Sequence, residues 1–195
     1  MSEAAAAKPQ APSAKPNFLS QAVGQKVIFW AVLLVSLIAD IASKAWADIT
    51  LRPFGDKVVP VIPNVLAWKW AENKGAAFSI LDGRADILSI IAAVVLLAVF
   101  VYMVRTKPER KIFLIALGMV AAGAMGNLYD RILLGHVRDF IFFDFDLPLH
   151  EKFSFIPQRW PVFNVADMSI LGGVGTLVVL SLFTKEKKVE KQAKS

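Results

Sequence analysis

Four long apolar blocks separated by short polar stretches set the pattern of this chain. Val27 to Ala47 is apolar except for Asp40, Ser43 and Lys44; Ile87 to Val104 carries no charge; Ile112 to Leu128 and Val165 to Phe183 complete the set. Each is long enough to cross a hydrocarbon layer of about 30 Å as a helix. The pattern therefore predicts an all-α polytopic membrane protein with four transmembrane helices, near 27–47, 87–104, 112–129 and 165–183. They form one domain over 26–184, with outer loops at 48–86 and 130–164.

Between the first two blocks the period changes. Val58-Val59-Pro60-Val61-Ile62-Pro63 and Val65-Leu66-Ala67-Trp68-Lys69-Trp70 are short β-rich runs broken by prolines, which predicts a small twisted sheet on the membrane face. Asn73-Lys74-Gly75 then signals a turn, and turn chemistry alone reads it as plain chain reversal. Residues 1–25, rich in Ala, Pro, Lys and Ser, bury too little to fold alone and are expected to be a disordered tail. A cleavable signal peptide is the rival reading of the first block, because Ala45-Trp46-Ala47 has a small-x-small form. Against it, the block is long, and Asp40 and Lys44 fall where such a peptide is neutral.

Composition agrees with the pattern: 56% of the 195 residues are hydrophobic and mean hydropathy is positive. Cysteine is absent, which excludes disulfides, thiolate metal sites and a cysteine nucleophile. A net charge of +6 would fit nucleic acid, but the basic residues gather at segment ends, as bilayer orientation requires. The tail before the first helix, the loop with Arg105, Lys107, Arg110 and Lys111, and the tail 185–195 are rich in Lys and Arg. Both termini are therefore expected in the cytoplasm, with both longer loops facing outward. Small residues at Gly118, Ala122 and Gly126, and at Gly172, Gly173 and Gly175, predict close packing of the third and fourth helices.

The candidate chemistry lies at the outer ends of these helices. Asn127 and Asp130 share a face at the end of the third helix, as do Asn164 and Asp167 at the start of the fourth. Helix capping by Asn164 accounts equally well for the second pair, and an interfacial ion pair accounts for Asp130 and Arg131. Asp139, by contrast, stands in an apolar run and needs a partner. If Asp139 and Asp167 approach each other beside lipid, both cannot ionise, and a shared proton gives the logic of an aspartyl protease. A proton- or ion-coupled transporter is the competing class, but the acids gather at one face and no inverted repeat is evident. A non-catalytic membrane scaffold is the third; it would tolerate both Asp-to-Asn changes.

Several blocks together carry a resemblance. Gly126-Asn127-Leu128-Tyr129-Asp130-Arg131, Val137 to Phe140 and Phe163-Asn164-Val165-Ala166-Asp167 resemble the signature blocks of bacterial lipoprotein signal peptidase (signal peptidase II). Asn73-Lys74-Gly75-Ala76-Ala77-Phe78 and Asp40 to Lys44 resemble two more, in matching order. The resemblance implies a four-helix intramembrane aspartyl peptidase with an extracytoplasmic β-rich cradle. It would sit in the bacterial cytoplasmic (inner) membrane among membrane lipids and need neither metal nor organic cofactor. Its implied substrates are diacylglyceryl-modified prolipoproteins, cut before the lipidated cysteine at the outer face, and nucleic acid is not among its partners.

By position, Asp139 and Asp167 match the catalytic dyad. Asn73, Gly75, Asn127, Asp130, Arg131 and Asn164 match residues that shape the site and hold substrate, and Asp40 and Lys44 match positions of more structural character. Two departures stand out. Arg138 occupies a position that is more often small and apolar, so a cation beside Asp139 is expected either to lower its pKa or to reach for lipid headgroups. Ile41 and Ser43 replace the usual Gln and Thr, which puts a polar role for the first-helix block in doubt. The segment Ile141 to Val162, with Asp144, Asp146, His150 and Glu151 among aromatics, is read as a belt or lid in preference to a metal site.

Overall fold

The computed structural model describes residues 18–75, 85–105, 111–146 and 158–193, with side chains described for 26–75, 86–103, 111–146 and 158–183. Of the expected disordered tail over 1–25, residues 18–25 are instead helical and 1–17 lie outside the described residues, as do the basic residues at 106–110, Ala76 to Phe78 and the 147–157 part of the long outer segment. Four helices, α1 (Phe18–Thr50), α2 (Ala85–Arg105), α3 (Lys111–Leu134) and α4 (Val165–Ala193), accompany three strands, β1 (Val59–Ile62), β2 (Leu66–Asn73) and β3 (Val137–Phe143). All four helices are long and apolar enough to cross a membrane, and the chain is a multi-pass membrane protein. Helix α1 begins nine residues before the expected Val27, and α3 runs on past Asp130 to Leu134.

Helix α3 is the hub, touching α1, α2 and α4. Its Gly- and Ala-rich sequence allows that. A methyl group at Gly118 would meet the Phe29 carbonyl of α1, one at Gly173 would meet the Ala116 carbonyl of α3, and one at Gly123 would meet the Ala166 carbonyl of α4. The expected α3–α4 packing is present, but Gly118 serves α1 and Gly175 faces open space. Trp30 and Trp46 lie about 24 Å apart along α1, at roughly 1.5 Å per residue. Trp30 stacks on Phe100 at one end, and Trp46 meets Trp68 and Phe140 at the other.

The sheet is antiparallel in the order β1-β2-β3. Strands β1 and β2 are joined by a turn in which the Val65 N–H donates to the Ile62 carbonyl at 3.0 Å. Pro63 supplies the fixed φ and Asn64 the positive φ of 59° that a type II turn requires. Strand β3 was not expected from the sequence. It arises because α3 stops at Gly135, whose φ is +75° and whose N–H donates to the Arg131 carbonyl at 3.1 Å. This left-handed cap turns the chain at once into β3. Phe163 then bridges to Ile141, donating to its carbonyl at 3.0 Å and accepting from its N–H at 2.8 Å. The start of α4 is thereby pinned to β3.

Candidate active site

Strands β2 and β3 and helices α3 and α4 converge on one point. Along β3, side chains alternate faces: Arg138 and Phe140 face one way, Asp139 and Ile141 the other. Phe140 packs with Ala47, Leu51 and Trp70. Asp139, 1% exposed, points toward the start of α4. There Asn164 and Asp167 form a reciprocal cap: the Asp167 N–H donates to Asn164 Oδ1 at 2.9 Å, and the Asn164 N–H donates to Asp167 Oδ2 at 3.1 Å. The capping expectation for Asn164 is met, and its remaining amide group does further work.

Asn164 Nδ2 donates to Asp139 Oδ1 at 2.6 Å and to Asn127 Oδ1 at 3.1 Å. Asn127, from α3, donates through Nδ2 to Asp167 Oδ1 at 2.8 Å. Asn73, at the end of β2, donates to Asp139 Oδ2 at 2.9 Å. The two acids are thus knitted together by three carboxamides from three elements. Among the described residues no basic side chain forms an ion pair with either acid.

Electrostatics follow from that enclosure. Burial, and next the negative charge of Asp167, push the Asp139 carboxyl up to about 7, against the hydrogen bonds from Asn73 and Asn164 and the field of Lys44. A carboxyl poised there holds a proton near neutral pH, as general acid–base work requires.

Gly75 and Arg131 belong to the rim. The Gly75 N–H donates to Asn73 Oδ1 at 3.0 Å, forming an Asx-type turn, and the Gly75 carbonyl accepts from Arg131 Nη2 at 3.4 Å. The Asn-Lys-Gly turn is therefore more than chain reversal: it aims the Asn73 amide at Asp139. Arg131 Nε is buried with no partner among the described residues, a donor left over in the site. Asp130 differs from the other expected site residues. It is fully enclosed and accepts from Arg138 Nη2, Nε and backbone N–H at 2.7, 3.1 and 3.0 Å.

Two expectations are corrected here. Arg138 neither faces Asp139 nor reaches out for headgroups; strand alternation turns it to the opposite face, where it pairs with Asp130. The first-helix block is polar and central despite Ile41 and Ser43. Lys44, wholly buried, donates to Asn127 Oδ1 at 2.9 Å and pairs with Asp40 Oδ2 at 2.8 Å. Asp40 Oδ1 in turn accepts the Ala166 N–H at 2.8 Å. The signal that finds these two is their spacing of four, one helical turn, in an otherwise apolar span.

Of the long outer segment, Arg159 ties Asp144 at 2.9 Å and Asp146 at 3.0 Å. His150 and Glu151 lie outside the described residues. No cluster of three metal-ligating side chains occurs among the described ones.

Known families and structures match this chain over most of its length. The profile of the family described as signal peptidase (SPase) II matches residues 32–183. Lipoprotein signal peptidase of Clostridium acetobutylicum is 34% identical over 157 residues, covering 80% of this chain and 95% of the relative. The protein of the same name from Deinococcus radiodurans is 38% identical over 163 residues, covering 83% of each. A solved bacterial membrane enzyme, 28% identical, superposes with a TM-score of 0.70 over 82% of this chain and 90% of that one.

Proposed function

The chain belongs to the signal peptidase II family, and from that membership we propose that Asp139 and Asp167 are the catalytic dyad of a membrane protease acting on prolipoproteins. The protein is a membrane-spanning protease that removes lipoprotein signal peptides. The observation that carries the residue assignment is the amide scaffold: Asn164 Nδ2 joins Asp139 to Asn127 Oδ1, and Asn127 Nδ2 holds Asp167. Two acids held by neutral amides, with no base in ion-pair contact among the described residues, share one proton between them.

In the proposed reaction the ionised member takes a proton from water, and the hydroxyl oxygen bonds to the scissile carbonyl carbon. The protonated member gives its proton to the carbonyl oxygen, forming a neutral gem-diol. Collapse of that intermediate breaks the C–N bond, with one proton passing to the leaving nitrogen and the other returning to the dyad. Asn73, Gly75, Asn127, Arg131 and Asn164 shape the site around the peptide, and the spare Arg131 Nε offers a donor to a substrate carbonyl. Asp130 supports them from behind.

The substrates proposed are diacylglyceryl-modified prolipoproteins, cut before the lipidated cysteine. The site lies where apolar helices give way to the Trp46 and Trp68 layer, a fitting depth for a lipid-anchored substrate. The Lys- and Arg-rich ends support cytoplasmic termini in the bacterial inner membrane, with the site facing outward.

The test is cleavage of a lipidated prolipoprotein by purified protein in detergent with chelator present, beside an unlipidated control. Asp139→Asn and Asp167→Asn should each fall by at least about 10²-fold, and the unlipidated substrate should remain uncut. Parental turnover in both variants would remove the dyad assignment.

A further inference from the structure

Arg138 adjoins Asp139 in sequence yet is separated from it by the thickness of a strand. What it touches instead is Asp130, which receives three hydrogen bonds from this one residue, two from the guanidinium and one from the backbone N–H. Lys44 also approaches Asp130, with Nζ 3.6 Å from Oδ2, the oxygen that accepts from Arg138 Nε and backbone N–H. That separation is an ion-pair distance but too long for a hydrogen bond. The ammonium gives its short contacts elsewhere, to Asp40 Oδ2 at 2.8 Å and Asn127 Oδ1 at 2.9 Å.

The Asn127 contact matters because a carboxamide has two distinguishable ends. Asn127 Oδ1 accepts from Lys44 and from Asn164, and this leaves Nδ2 as the end presented to Asp167. Flipping the amide would set an oxygen against the Asp167 carboxylate. In a buried site an ammonium is attracted more strongly to the full charge of a carboxylate than to the dipole of a neutral amide. A carboxylate at Asp130 with unfilled lone pairs would therefore draw the ammonium away from the neutral amide of Asn127.

We infer that Arg138 is a positioning residue for the dyad: by saturating Asp130 it leaves Lys44 to hold Asn127 with its N–H toward Asp167. The inference rests on the dyad reading above. Arg138 touches no reacting atom, and its effect passes through Asp130, Lys44 and Asn127 in turn.

The experiment is a double-substitution cycle with Arg138→Met, Asp130→Asn and the pair, measured for kcat and KM on a lipidated prolipoprotein in detergent, with melting temperature recorded. Arg138→Met should lower kcat about tenfold or more while KM moves less than about threefold. In the Asp130→Asn background the same change should cost nothing, because a neutral carboxamide no longer competes for Lys44. Arg138→Lys, which restores the charge but not the fork, should fall between parent and Arg138→Met.

A loss from Arg138→Met of equal size in both backgrounds would overturn the inference, as would parental kcat in the single variant. If Arg138→Met alone does not fold, the comparison of the pair with Asp130→Asn decides. Equal kcat supports the mechanism, and a further drop refutes it. Asp139→Asn run in the same assay separates the two ideas. Failure of the dyad reading shows as residual cleavage in that variant, whereas failure of the present inference shows as additivity with that variant inactive.

Discussion

Two polar layers lie back to back near one end of the helix bundle, and they handle charge in opposite ways. In the rear layer Asp40, Lys44, Asp130 and Arg138 alternate acid with base, each acid meeting at least one cation within 2.8 Å. In the front layer, among the described residues, Asp139 and Asp167 accept hydrogen bonds from the amides of Asn73, Asn127 and Asn164 and the backbone N–H of Asn164. A counter-ion at bonding distance stabilises the charged form of an acid, whereas burial beside Asp167 pushes Asp139 up to about 7. The rear layer is suited to stability and the front layer to reaction.

That division can be broken from either side. Asp40→Ala removes the shortest ion-pair contact of Lys44 and the acceptor of the Ala166 N–H, and loss of one member of a buried pair costs about 3–5 kcal/mol. Thermal unfolding in detergent should show a large drop in melting temperature, and an unchanged one would mean that the rear layer contributes little to stability.

Gly126→Ala tests the same layer sterically. Its new methyl group would meet the Asp40 carboxylate, with the Ala166 side chain close behind. Overpacking of this kind costs about 1–3 kcal/mol, so the melting temperature should fall by less than for Asp40→Ala. Gly135→Ala meets no atom within 4 Å and serves as a control that senses only the positive φ.

The front layer is tested by pH. Asp139 is raised from its ordinary 3.8 to about 7, so between those values the folded protein holds a proton that the unfolded chain has released. Its contribution to stability is fully present below 3.8 and is lost as pH rises through about 7. Melting temperature should therefore sag across that window in the parent and sag less in Asp139→Asn, which would be inactive yet more stable than the parent at pH 8. Cleavage should decline above about pH 7 as the shared proton leaves. A flat profile would place the ionisation elsewhere.

The four spans and the β1–β2 pair were legible because their signals are local: long charge-poor runs, and short β-rich runs around Pro63-Asn64. The two acids were legible because an acid in an apolar run is costly. Strand β3 was not, since Val137 to Phe143 places Arg138 and Asp139 side by side and lacks a clean alternation, and it owes its conformation to pairing with β2 and to the Phe163 bridge. The direction of Arg138 was hidden for the same reason, because only a strand assignment places it opposite Asp139. The role of Lys44 was hidden in a different way. Its spacing from Asp40 was visible, but its contact with Asn127 spans 83 positions, and no local pattern announces a contact that depends on α3 packing against α1.

The bridge between Ile141 and Phe163 has a consequence for biogenesis. Chains leave the ribosome from the N-terminus, and three of the four spans, together with Asp139, are made before Asn164 and Asp167 exist. Until α4 arrives, Asp139 lacks its shortest donor and its partner acid, and Asn127 lacks the carboxylate it serves. On the proposed dyad, proteolytic competence is withheld until the final span docks, and a chain truncated before Phe163 should occupy the bilayer without cutting what lies in it.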